Sequence, residues 1–99
     1  MYRVVILPSA VEDIKKGAQC YNIKQPKLGN KYISYVRAKI SSIRTHPQVF
    51  PIRYGEVQTA VVDVFPYMIH FIFLSTNNSI VILAVLHTSR NPETWQGNV

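Results

Sequence analysis

Among the basic side chains of this sequence, Arg53, His87 and Arg90 are the candidates for phosphate chemistry. Cleaving a phosphodiester through a neighbouring hydroxyl needs a base, an acid for the leaving oxygen, and cations for the charge that gathers on phosphorus. His87 has the imidazole for proton transfer, and Arg90 has a guanidinium that can clamp an oxyanion. No third group at a readable spacing completes such a site. A plainer reading accounts for the same pair: His87 closes a strand with a local hydrogen bond, and Arg90 anchors the chain that follows. His70 lies mid-strand among large apolar residues and reads as a satisfied interior or interface histidine.

Other chemistries find no footing. Three scattered His and one Cys do not make a metal-ligand spacing. There is no glycine-rich phosphate loop and no nucleophile motif, so no cofactor is expected. Cys20 is the single cysteine, which excludes an internal disulfide and points to a reducing cytosol. On a helix it is expected to be a small buried hydrophobe. The start, MYRVVILP, is too short in its apolar run for a signal peptide. Asp63, Pro66 and His70 break the best membrane-span candidate, well short of the roughly 18 apolar residues a span needs. A soluble cytoplasmic protein is the expectation.

At 99 residues the chain has room for one domain, residues 1–99, and 47% apolar residues suffice for a core. Eleven Lys and Arg against five Asp and Glu leave a formal charge of +6. That excess favours encounter with polyanions or acidic proteins. No recognition helix of basic and base-reading residues stands out for DNA.

The elements that must hold these residues follow from periodicity. Residues 2–7 are a short β-rich run stopped by Pro8. Ser9-Ala10-Val11-Glu12 has the form of a capping box opening a helix. Val11, Ile14, Ala18 and Tyr21 then recur at helical spacing as the inward stripe, with Glu12, Asp13, Lys15, Lys16 and Gln19 on the wet side. Pro26 and Gly29 interrupt the pattern. A second helix carries Tyr32, Val36, Ile40 and Ile43 inward, turns Lys31, Arg37 and Arg44 outward, and stops at His46-Pro47.

Beyond Phe50 the pattern becomes β. Residues 51–54 read as a short or edge strand. Residues 57–64 alternate, with Ala60, Val62 and Val64 on one face and Thr59, Val61 and Asp63 on the other. Residues 67–74 and 80–86 are joined by a polar hairpin loop. In both strands each face is apolar: Ile80, Ile82 and Leu86 oppose Val81, Leu83 and Val85. Two helices cover only one face of a sheet. The other face must curl inward, be covered by the tail, or be offered to a partner.

Several stretches resemble one known family. Ile6-Leu7-Pro8-Ser9-Ala10, Tyr21 with Pro26-Lys27-Leu28-Gly29, Phe65-Pro66-Tyr67, and the run Ile82 to Pro92 with Trp95 are similar, in order, to the RelE/ParE toxins, in their ParE-like branch. The resemblance implies an α+β fold of order β-α-α-β-β-β, a two-helix hairpin packed on an antiparallel sheet. It also implies a type II toxin neutralised by a cognate acidic antitoxin, and DNA gyrase as the target that ParE-like members inhibit by binding. RelE-like members instead cut mRNA on the ribosome with basic residues on the middle strands.

This chain departs from the cleaving pattern. Gln58 stands where many relatives have Arg, and Asp63-Val64 replaces a basic pair before Phe-Pro-Tyr. An Asp facing a phosphate repels it. A binding toxin is therefore the preferred expectation, with a ribosome-dependent endoribonuclease as the alternative and an inactive toxin fold as a third. A nuclease would rest on His87, Arg90 and Arg53. Contacts to a target are expected from Arg53, His87, Arg90 and Trp95, and to an antitoxin from Lys31, Arg37, Arg44, Met68 and Ile72.

Overall fold

The computed structural model describes residues 2–89. Strand β1 (Arg3–Ile6) leads into helix α1 (Pro8–Lys24), which is followed by α2 (Leu28–Thr45), then β2 (Ile52–Tyr54), β3 (Val57–Val61), β4 (Tyr67–Leu74) and β5 (Ser79–His87). Both helices pack on one face of a five-stranded sheet of order β1-β5-β4-β3-β2. The expected architecture holds, with two refinements. The residue 51–54 edge segment is a full member of the sheet, giving β-α-α-β-β-β-β. The sheet is antiparallel except at β1, which pairs in parallel with β5 from Arg3↔Ser79 to Ile6↔Ile82. No described helix is long and apolar enough to cross a membrane.

Helix α1 begins two residues earlier than the capping-box reading required, with Leu7 rather than Ser9 at the N-cap. Pro8 takes the first helical position, where its missing N–H costs nothing. Leu7 is the N-cap and provides no side-chain cap. Ser9 is already inside the first turn, and its hydroxyl donates instead to the Leu83 carbonyl at 3.1 Å. The inward face is correspondingly turned. Ala10, Gly17 and Ala18 are buried, whereas Val11 is 37% exposed. Asp13, expected on the wet side, accepts the Val85 backbone N–H on the sheet. Cys20, expected inside, is exposed.

The helices meet closely at their hairpin. Lys27 adopts a left-handed conformation (φ 72°) to reverse the chain. A Cβ at Gly29 would run into the Ala18 carbonyl, so only glycine lets α2 start against α1, and its N–H is held by Asn22 Oδ1 at 2.8 Å. Tyr32, Val36 and Ile43 fill the core as the periodicity predicted, with Ile40 packed at its margin.

Two irregularities in the sheet were hidden from the sequence. Strand β3 ends at Val61 rather than 64, because Phe65 N–H donates back to the Asp63 carbonyl and Tyr67 N–H to Phe65. Pro66 has no N–H for a ladder, and the chain turns there. Val64 sits at the apex with φ 72° and is 72% exposed, not on the inner face with Ala60 and Val62.

The second irregularity is in β5. His70 pairs with Ala84 and Phe71 with Ile82, so Leu83 is an extra residue, a β-bulge. Parity reverses across it. Ile80, Ile82 and Val85 therefore all enter the helix-side core, and Leu86 moves to the far face. The alternation drawn from the sequence, with Leu86 beside Ile82, is corrected by this bulge. The far face is not bare: Thr59, Met68, His70, Ala84 and Leu86 are all buried there, whereas Val61 remains 53% exposed.

Candidate interaction site

Arg53 and His87, both singled out for phosphate chemistry, do not converge. Arg53 is exposed on edge strand β2, and His87 ends β5, with β3 and β4 between them. Three strand spacings amount to roughly 14 Å. They also look different ways. Arg53 acts on His70, which faces away from the helices, while the bulge turns His87 toward the helix side, its ring 5.4 Å from that of Tyr67. Arg90 and Trp95 lie outside the described residues.

His87 is engaged locally, as the plainer reading expected. Its Nδ1 accepts the Ser89 N–H at 3.1 Å and lies 2.8 Å from the Ser89 hydroxyl. His70 is 4% exposed and joined to the Tyr54 hydroxyl through Nδ1 at 3.0 Å. Burial, and then the Arg53 guanidinium, push its pKa down to about 4. It is a neutral interior histidine at physiological pH.

The two departures from the cleaving pattern have structural roles. Gln58 is buried, and its Nε2 donates to the carbonyls of Pro47 at 2.7 Å and Phe50 at 2.8 Å, tying the segment after α2 to β3. Asp63 pairs with Lys39 at 3.4 Å. With the acid 72% exposed, that pair contributes little stability, but it removes a free cation from this end of the sheet.

The antitoxin candidates divide between two sides. Arg37 and Arg44 are seven residues apart and share a face of α2, whereas Lys31 stands about 120° round the helix. Arg44 Nε donates to the Tyr2 carbonyl at 3.1 Å, so this guanidinium also ties α2 to the chain before β1. Met68 and Ile72 are on the far face of the sheet; Met68 is only 7% exposed and Ile72 half-buried. A partner touching both sets must wrap around an edge of the molecule.

What sequence reasoning missed is a groove between the helices. Val11 and Ile14 of α1, Ile33 and Ile40 of α2, and Ile6 of β1 line an open trough of about 240 Å³, with Lys15 and Arg37 beside them. Ile6 and Val11 are 38% and 37% exposed. Ile33, Arg37 and Ile40 recur at helical spacing and could have revealed a second apolar stripe on α2 flanked by charge. The trough is apolar along its floor and basic at its edge, where Lys15 and Arg37 stand.

The family model described as "ParE toxin of type II toxin-antitoxin system, parDE" matches residues 4–92. A search of curated proteins returns no match. Among solved structures, the fold is similar to the chromosomal ParDE system of P. aeruginosa at TM-score 0.78 and 15% identity, covering 90% of this chain and 98% of that one. It is also similar to the intact E. coli RelBE toxin–antitoxin complex (TM-score 0.68, 12% identity, 91% and 100% covered). The RelBE2 complex of Mycobacterium tuberculosis has TM-score 0.61 at 17% identity, with 87% and 96% covered.

Proposed function

We propose, from the premise that this chain belongs to the ParE toxin family of type II toxin–antitoxin systems, that it acts by binding rather than by catalysis. Its target is DNA gyrase, and its antitoxin docks through an acidic amphipathic segment along the helix–helix groove. The observation that carries the antitoxin part is the apolar trough edged by Lys15 and Arg37 on a chain of formal charge +6. Apolar burial supplies affinity there, and the flanking charges supply orientation and encounter rate. The separation of Arg53 from His87, and the engagement of Gln58 and Asp63 in structural contacts, support binding over phosphodiester cleavage.

Purified toxin incubated with gyrase and plasmid should block supercoiling or trap cleaved DNA, and should leave mRNA on translating ribosomes intact. Cleavage of mRNA that disappears in His87→Ala would establish the endoribonuclease reading instead, and inertness in both assays an inactive fold. For the groove, Ile33→Asp should abolish antitoxin protection against heat. Arg37→Glu should weaken binding most at low salt. Antitoxin affinity unchanged in both variants would place its docking site elsewhere.

A further inference from the structure

The β5 bulge has a second consequence, independent of the groove. By turning His87 to the helix side it places this ring on a pocket of about 160 Å³ beside α1, lined also by Asp13, Lys16, Gly17, Cys20 and Tyr67.

Three of the polar side chains lining this pocket, Lys16, Tyr67 and His87, can donate. Because Nδ1 of His87 accepts the Ser89 N–H, the neutral ring has its proton on Nε2, which has no hydrogen-bond partner among the described residues. Lys16 forms no ion pair among the described residues. Tyr67 is kept protonated by burial, then by the neighbouring Cys20, so its hydroxyl is a donor. The one carboxylate, Asp13, accepts the Val85 N–H at 3.1 Å. Asp13 keeps its negative charge, which the Lys16 ammonium must offset for an anion to bind. The absence of a side chain at Gly17 leaves the wall of the pocket low.

We propose that this pocket is a phosphate-binding site, in which the Lys16 ammonium supplies charge and His87 Nε2–H and Tyr67 Oη supply hydrogen bonds to separate oxygens. Three donors on three elements match a phosphate's several oxygens better than a carboxylate's two. The group is either the phosphate of a free nucleotide or a phosphodiester of a nucleic-acid backbone, which share this chemistry.

The test titrates the free chain by NMR with inorganic phosphate, with AMP, and with a short DNA duplex. Saturable shifts confined to Lys16, Tyr67 and His87 are expected. Lys16→Gln, a surface change that leaves the core untouched, should weaken binding roughly fivefold, and Arg37→Gln on the opposite groove should not. Phosphate should also slow alkylation of Cys20. Saturation by AMP identifies a nucleotide as the source, and saturation by the duplex alone identifies the backbone; either supports the site. Shifts spread over the basic surface, equal losses in both variants, or unprotected Cys20 would overturn it, and would leave the gyrase reading unaffected.

Discussion

Gly17 and Tyr32 fit against each other so closely that a Cβ on residue 17 would stand 2.8 Å from the Tyr32 hydroxyl oxygen. The tyrosine has no room to retreat. It is fully buried, and its ring packs against those of Tyr21, Phe65 and Tyr67 at centroid distances of 5.1–5.5 Å. Alanine is the better helix former by about 1 kcal/mol. Overpacking costs typically 1–3 kcal/mol. Gly17→Ala should therefore lower stability by up to about 2 kcal/mol in urea denaturation, and a stabilised variant would show that α1 can shift off the ring.

The same hydroxyl is buried with no hydrogen-bond partner among the described residues, and burial holds its pKa well above the usual phenol value. An unsatisfied buried polar group is a standing cost of about 1–3 kcal/mol. Tyr32→Phe should raise the unfolding free energy by about 1 kcal/mol, and Gly17→Ala should cost less in that background. A destabilised Tyr32→Phe protein would mean that the hydroxyl has a partner, such as an ordered water.

Gln58 holds two carbonyls through one nitrogen, so replacing it with leucine keeps the volume and strands both acceptors. The expected loss is about 2–3 kcal/mol. Hydrogen exchange should quicken selectively in residues 47–58. A uniform change across the sheet would assign Gln58 a packing role instead.

His70 sets a pH dependence. Its folded pKa, about 4, is below the ordinary value of 6.5, so the unfolded chain binds the proton more tightly. The stability this group contributes is full above pH 6.5, falls as the pH drops toward 4, and is constant below that. The span corresponds to at most roughly 3 kcal/mol. Urea midpoints of the native chain should fall across this window by more than those of His70→Phe, and Arg53→Ala, by raising the folded pKa, should lift the lower end of the window and shrink the fall. Parallel curves for the native and His70→Phe chains would contradict the assignment.

How much of this was legible depended on whether a local pattern recorded it. Helical spacing in Tyr32, Val36 and Ile43 marked the core face of α2, because a helix that packs on a sheet must repeat its apolar contacts every turn. The composition alone set the charge, which favours polyanions or acidic proteins without choosing between them. His70 was legible as an interior group because large apolar residues surround it in sequence. The bulge at Leu83 was not, since β5 is apolar on both faces and a shift of parity leaves no trace in such a run. That one inserted residue decides that Val85 is core, that Leu86 is not, and that His87 faces α1. Ser9 and Asp13 likewise look like helix-start residues in sequence, but their partners, Leu83 and Val85, are more than 70 positions away and exist only because β1 lies parallel to β5. Arg53 and His87 are both plausible phosphate ligands by type. Their separation follows from strand order, which no local spacing encodes.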